Sequence, residues 1–180
     1  MRYHIWLTAA ICIALAVTMG YLLAPVPNVE LMSATLFISG ALLGAPAGAG
    51  TGASAALIFS LLNPMGTAAP PLLLAQMSGM AIIGATGGLA AGLRAAGRRR
   101  SLLFGCIGIT VTLLYDLLTT LSFAPFVAGG DPAAWLALFA AGAPFYLIHL
   151  SVNGMVFALL VPLVLDRVRR ALNLSGRNGA

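Results

Sequence analysis

The sequence contains no lysine and few charged residues of any kind. Across 180 residues there are nine arginines and four acidic residues, 7% in total, whereas 61% of the residues are apolar. A soluble domain is about 25% charged, so this chain lacks the polar side chains needed to cover a water-exposed globule. The mean hydropathy of +1.03 supports the same conclusion. A water-soluble enzyme or nucleic-acid-binding domain is therefore excluded, despite the net charge of +5, and an all-α integral membrane protein is predicted.

Cysteine is also scarce. Cys12 and Cys106 lie in apolar runs with no Cys or His beside them, which argues against a disulfide or a metal site. Without lysine the chain has no Gly-x-x-x-x-Gly-Lys-Ser/Thr loop for nucleotide phosphates. We therefore expect no catalytic residue, cofactor or metal, and any ATP-driven step needs another subunit.

Long apolar runs are abundant, and a membrane-spanning helix needs about 20 such residues. We predict a single transmembrane domain of residues 1–180, with helices at residues 5–24, 31–45, 47–62, 71–93, 102–124 and 144–165. The first run is longer than the apolar region of a signal peptide and Pro25 makes a poor cleavage site, so we expect it to be retained. The second and third helices are short and are predicted to meet in a tight turn at Pro46.

The segment before the sixth span is predicted to be separate. Asp131 and Pro132 are typical of a helix start, which predicts a short interfacial helix at residues 132–140 that carries Trp135. Gly142-Ala143-Pro144 is expected to break the chain between this helix and the sixth span.

The arginines give an orientation. They lie at the N-terminus, at residues 94–100 and at residues 167–177, whereas the other loops carry Glu30 and Asp131. The positive-inside rule then places both termini in the cytoplasm, with a cytoplasmic tail at residues 166–180, and six spans satisfy every cluster. We interpret these arginines as topology signals at the lipid bilayer, with Asp166 as a local partner, and expect no nucleic acid partner.

Strongly polar side chains within the predicted spans all fall in the outward half, which favours a pocket open to the outside. The candidate substrate-binding residues are Asn28, Glu30, Asn63, Gln76, Asp116, His149 and Asn153. Asp116 is the strongest of them, because a carboxylate deep in a span needs a partner, water or a proton. Structural alternatives stay open: an interfacial charge at Glu30, an interfacial imidazole at His149, a helix end at Asn63, and interhelical hydrogen bonds from Gln76 and Asn153.

Small residues recur at four-residue spacing, which lets helix backbones approach closely. The repeats are Gly40, Gly44 and Gly48, then Gly84, Gly88 and Gly92, and finally Ala10 and Ala14. We expect the glycines to pack within the bundle. For Ala10 and Ala14 an internal contact and an intermolecular contact both stay open.

Three strings carry a resemblance to a known family: Pro27-Asn28-Val29-Glu30, Asn63-Pro64-Met65-Gly66, and Pro70-Pro71-Leu72-Leu73-Leu74-Ala75-Gln76-Met77. Together with the predicted helices, they resemble one uncharacterised branch of the S-components, the substrate-binding subunits of energy-coupling factor (ECF) transporters. The resemblance covers nearly the whole chain. It implies a six-transmembrane-helix bundle in a bacterial or archaeal cytoplasmic membrane, with both termini inside.

The resemblance also implies a mechanism. A vitamin or related micronutrient would bind in the outer half beneath the Pro25–Glu30 loop, and Ala10 and Ala14 would dock on a transmembrane coupling subunit driven by two ATPase subunits. The substrate stays open between cobalamin or a corrinoid precursor, with His149 as a cobalt ligand, and a queuosine-type precursor.

Two other classes of function stay open. One is an ion- or proton-coupled carrier, or a solitary facilitator, that uses Asp116. The other is an intramembrane enzyme that uses Ser78 and His149, although the Gly-x-Ser-x-Gly pattern around the serine is absent.

Overall fold

The computed structural model of the chain describes residues 2–63, 66–93 and 95–177. Over these residues the chain forms six α-helices and no strands. In chain order they are α1 (Arg2–Leu23), α2 (Met32–Leu43), α3 (Ala45–Leu61), α4 (Pro70–Ala90), α5 (Gly97–Ala128) and α6 (Pro132–Arg177). Within the described ranges, α1, α4, α5 and α6 are long and apolar enough to cross a membrane, whereas α2 and α3 are shorter apolar helices. These features are those of a helical membrane protein.

The turn between α2 and α3 lies at Gly44 and not at Pro46. Gly44 has φ +91°, a backbone conformation that a residue with a Cβ rarely adopts. Pro46 instead lies in the first turn of α3, where its missing N–H removes no helical hydrogen bond. The glycine therefore makes the turn, and the proline begins the next helix.

The break predicted at residues 142–144 is wrong, because α6 runs without interruption from Pro132 to Arg177 and includes the 132–140 segment. It also extends through residues 166–177, which were predicted as a tail. Pro125 likewise lies inside α5, beyond the predicted end at residue 124. An interrupted helix leaves backbone N–H and C=O groups without hydrogen-bond partners, which is costly in hydrocarbon. An apolar helix therefore continues past a proline at which a helix in water would end.

The start predicted for the short interfacial helix, at Asp131 and Pro132, is confirmed as the start of α6. The backbone N–H of Ala133 donates to Asp131 Oδ1 at 2.9 Å, so the aspartate caps the helix end. The indole N–H of Trp135 donates to the carbonyl of Gly129 at 2.8 Å and fixes the short connection between α5 and α6.

Glycines bring α2, α3 and α4 into backbone contact. A Cβ on Gly40 or on Gly48 would overlap the carbonyl of Gly84, and a Cβ on Gly88 would overlap the backbone of Ala45. The expectation that these glycines pack inside the bundle is confirmed at these positions. It is wrong for Gly92, which is exposed and whose added Cβ has nothing within 4 Å.

The order of packing follows from the helix contacts. The α2–α3 pair packs against α1 and α4, α4 also packs against α5, and α6 packs against α5 and α2. Phe37 of α2 lies at the centre, fully buried, with edge-on contacts to Phe104 of α5 and Phe157 of α6.

One end of the bundle, the arginine end, is defined by Arg98–Arg100 and Arg167–Arg170. Arg100 Nη1 donates to both carboxylate oxygens of Asp166 at 2.8 Å, so the partner of Asp166 comes from α5 and not from its own cluster. Arg169 Nη2 donates to the carbonyl of Ala91 at 3.2 Å. These contacts tie together the end of α4, the start of α5 and the end of α6.

Candidate functional site

A pocket of about 230 Å³ lies at the end of the bundle away from the arginine end. The chain segment 24–31, which joins α1 to α2, forms one side of it, and all six helices contribute to the rest. The lining residues are Gly20, Leu23, Ala24, Val26, Pro27, Asn28, Val29, Glu30, Met32, Ala56, Phe59, Gln76, Met80, Tyr115 and His149. The pocket is therefore mostly apolar with a few polar groups, as small-molecule sites usually are.

The 24–31 segment is compact because it turns twice. The N–H of Val26 donates to the carbonyl of Leu23 at 2.9 Å, and the N–H of Val29 donates to that of Val26 at 3.2 Å. Asn28 takes a left-handed conformation with φ +59°, which asparagine tolerates better than most residues. This turn directs the chain so that Glu30 enters the bundle.

Glu30 joins the segment to two helices. Its Oε2 accepts the backbone N–H of Ser33 at 2.8 Å, at the first turn of α2. Its Oε1 accepts Asn153 Nδ2 at 2.9 Å, and the same amide group donates to Thr112 Oγ1 at 3.0 Å. Asn153 is fully buried, so this bridge links the α1–α2 connection, α5 and α6 inside the protein.

His149 lies one helical turn from Asn153 and contacts Asp116, which does not line the pocket. Its Nδ1 is 2.8 Å from Asp116 Oδ1 on α5, whereas its Nε2 faces Glu30 Oε1 at 3.8 Å. His149 and Asp116 are each 7% exposed. The 3.8 Å separation is too long for a hydrogen bond, and within the described chain Asp116 Oδ2, His149 Nε2 and Asn153 Oδ1 are buried without a hydrogen-bond partner.

The electrostatic environment favours the ionised form of Glu30. Burial by itself raises the pKa of this carboxyl, but the facing imidazole of His149 and the hydrogen bonds from Ser33 and Asn153 lower it by more. The pKa therefore lies below its usual range, because the donors stabilise the charged form more than the loss of water destabilises it.

Most of the predicted site residues come together. The pocket lining includes Asn28, Glu30, Gln76 and His149. Asp116 and Asn153 are not in the lining, but Asp116 contacts His149 and Asn153 contacts Glu30. Asn63 is not among the pocket-lining residues, and Pro64 and Met65 of its string lie outside the described residues.

The sequence pattern missed the apolar and aromatic part of the site. Phe59, Met80 and Tyr115 line the pocket, and Tyr21 supports Phe59 by stacking on its ring at 4.6 Å and donating to its carbonyl at 2.6 Å. Nothing in a chain that is 61% apolar distinguishes these side chains from lipid-facing ones. The adjacency of Tyr115 to Asp116 was the one available signal.

Ala10 and Ala14 lie away from the pocket, exposed on α1. The same helix exposes Trp6 and Ile11, and its packing contacts are with α2 and α3. The alanines therefore do not serve helix packing within the described part of the bundle.

The residues of the alternative functions are arranged differently. Ser78 is exposed and does not line the pocket, whereas His149 is held by Asp116. No group of three or more His, Cys, Asp and Glu side chains in the described chain is arranged to hold a metal ion. Comparisons of the chain with models of known protein families, with curated proteins and with solved structures found no match.

Proposed function

We propose that this chain is the substrate-capturing membrane subunit of an ECF-type importer for a vitamin or related micronutrient. The observation that supports it most is the pocket at the end opposite the arginines, where the 24–31 segment covers a buried cluster of Glu30, His149, Asp116 and Asn153. Buried ionisable groups inside an apolar bundle are costly, and a ligand site gives a reason for keeping them there.

The orientation follows from the arginines. With the arginine end in the cytoplasm, the pocket faces outward in a bundle of six membrane-embedded helices. His149 and Asp166 lie on the same helix, about 25 Å apart at 1.5 Å per residue. That distance is close to the roughly 30 Å hydrocarbon core, so the pocket opens near the outer surface.

Partner docking is assigned to α1. Ala10 and Ala14 form a small-residue face on a helix with little internal packing, and such faces allow close contact with another transmembrane helix. The coupling subunit binds this face, and two ATPase subunits supply the energy because the chain itself has no phosphate-binding loop.

The cavity restricts the substrate. Its volume of about 230 Å³ is below the ~300–1,000 Å³ typical of sites for drug-sized ligands. This favours a small molecule, such as a queuosine-type precursor, over the much larger cobalamin and its corrinoid precursors.

The docking assignment is tested by purification from native membranes in a mild detergent. The wild-type chain is expected to copurify with a transmembrane coupling subunit and ATPase subunits, and Ala10→Trp with Ala14→Trp is expected to abolish this while leaving the chain folded. Ala137→Trp, a matched change at an exposed alanine of α6, serves as the control. Equal recovery of the partners with both variants would contradict the assignment.

A second candidate is a carrier that couples transport to protonation of Asp116. It is favoured by the buried position of Asp116 and by its unpartnered Oδ2. Uptake of the copurified small molecule into liposomes containing the chain alone, driven by a pH gradient and lost in Asp116→Asn, would support this candidate over the importer subunit.

A further inference from the structure

The charges in and behind the pocket do not balance. Glu30 and His149 line it, and Asp116 binds His149 from behind. With both carboxylates ionised, the three groups together carry −1 when the imidazole is protonated and −2 when it is neutral. None of the described lining residues is an arginine, so the pocket has a net negative charge.

The described arginines are too far away to compensate. Arg100 pairs with Asp166, which lies about 25 Å along α6 from His149. Coulomb attraction weakens with distance, so charges this far away act far less on a ligand than groups within a few ångströms of it. The negative charge therefore acts on whatever enters the pocket.

The free acceptor positions of Glu30 favour a ligand that donates hydrogen bonds. His149 Nε2 is buried without a partner 3.8 Å from Glu30 Oε1, and it is an acceptor only when the imidazole is neutral and its Nδ1–H donates to Asp116. Glu30 uses its two oxygens for one hydrogen bond each, whereas a carboxylate offers about four acceptor positions. Glu30, which lines the pocket, thus retains acceptor positions for a ligand.

The apolar side chains of the lining suit an apolar body. Phe59, Met80 and Tyr115 line the same cavity, and aromatic faces attract organic cations as well as apolar groups. A volume of about 230 Å³ equals roughly eight water molecules at ~30 Å³ each. A metal ion fits poorly, because Asp116 already binds the Nδ1 of His149.

We propose that this pocket selects a small organic monocation, an ammonium or amidinium group on an apolar body, whose N–H groups donate to Glu30. This inference rests on the proposed function, because it names the class of substrate that the captured micronutrient belongs to. An anionic ligand is repelled, and a neutral isostere leaves the charge of Glu30 uncompensated.

Three probes of nearly the same shape and different charge test the proposal: benzamidine (a cation), benzamide (neutral) and benzoate (an anion). Binding to the purified full chain in lipid nanodiscs is measured by isothermal titration calorimetry. Benzamidine is expected to bind at least about tenfold more tightly than benzamide, and benzoate is expected not to bind. Binding of benzamide or benzoate as tight as that of benzamidine would overturn the proposal, and so would the absence of benzamidine binding.

Two variants locate the effect in the pocket. Glu30→Gln is expected to weaken benzamidine binding at least about tenfold, and Gln76→Glu, which adds a carboxylate to the lining, is expected to strengthen it. Asp166→Asn removes one carboxylate at the arginine end and is expected to change nothing. If Gln76→Glu weakens benzamidine binding, or if Asp166→Asn matches the effect of Glu30→Gln, the pocket is not the cation site.

The binding assay tests the cation site and the copurification assay tests the importer assignment, so a negative result in one does not decide the other. Benzamidine selectivity without a copurified coupling subunit would overturn the importer assignment and keep the cation site. A copurified coupling subunit with benzoate binding would keep the importer assignment and overturn the cation site.

Discussion

Asn153 is the residue whose replacement tests the buried bridge most directly. Its amide group donates to Glu30 Oε1 at 2.9 Å and to Thr112 Oγ1 at 3.0 Å, whereas its own Oδ1 is buried without a partner. Asn153→Leu keeps a side chain branched at the same carbon and removes both hydrogen bonds. It also removes the unpartnered oxygen.

The expected cost follows from these three changes. A hydrogen bond to a charged group contributes about 1.5–3 kcal/mol and a neutral one about 1 kcal/mol, whereas removing a buried unpartnered acceptor recovers at least about 1 kcal/mol. The net loss is about 2 kcal/mol. For a chain of this length that corresponds to a decrease in Tm of about 4–8 °C.

Thr112→Val is the matched control, because it removes the neutral hydrogen bond alone. We expect it to cost about 1 kcal/mol, or about 2–4 °C in Tm. Both variants are measured by thermal unfolding in the same detergent, followed by circular dichroism. A Tm decrease in Asn153→Leu no larger than in Thr112→Val would refute the reasoning, because the bond to Glu30 would then contribute nothing.

Three further predictions concern other parts of the chain. Gly84→Ala is expected to lower the free energy of unfolding by at least about 3 kcal/mol, because its Cβ overlaps backbone that cannot rotate away. Gly50→Ala, with open space around it, is expected to leave the free energy of unfolding unchanged or slightly higher. Equal effects of the two variants would refute the close helix contact. Arg100→Gln is expected to lower the free energy of unfolding by no more than about 1 kcal/mol, because the Asp166 side chain is 44% exposed and such pairs contribute little; a larger loss in equilibrium unfolding would contradict this. Finally, a carboxyl with a lowered pKa stabilises the fold above its unfolded pKa and loses that contribution as the pH falls through the folded pKa. The Tm is therefore expected to fall on acidification below about pH 4, and to fall less steeply in Glu30→Gln. Parallel pH profiles of the two proteins would count against an ionised Glu30.

The polar part of the site was predictable from the sequence because hydrocarbon penalises isolated polar groups. Side chains of that kind at similar depth must find one another, and Glu30, Asp116, His149 and Asn153 do so. Asn63 was expected to lie with them because its predicted depth is similar. Asn63 instead lies just after the end of a helix, where many polar residues form the turn that follows and do not line a pocket.

The helix boundaries were less predictable, because rules for proline derive largely from proteins in water. Pro125 predicted a helix end and Pro144 a helix start, and both lie inside helices. In water a freed carbonyl is solvated, so a helix ends at little cost, whereas an apolar environment makes continuation the cheaper outcome. The pocket aromatics could not be predicted, because apolar residues face lipid, core and ligand alike.

The glycine contacts have a mechanical consequence. Where α4 meets α2 and α3 through backbone atoms, as at Gly40, Gly48 and Gly84, there are no side chains that can change rotamer and let the helices slide. Close-packed interfaces of this kind deform little, so these three helices behave as a stiff block. Any opening of the pocket is then expected to come from the parts around this block, namely α1 with the 24–31 segment and the α5–α6 pair.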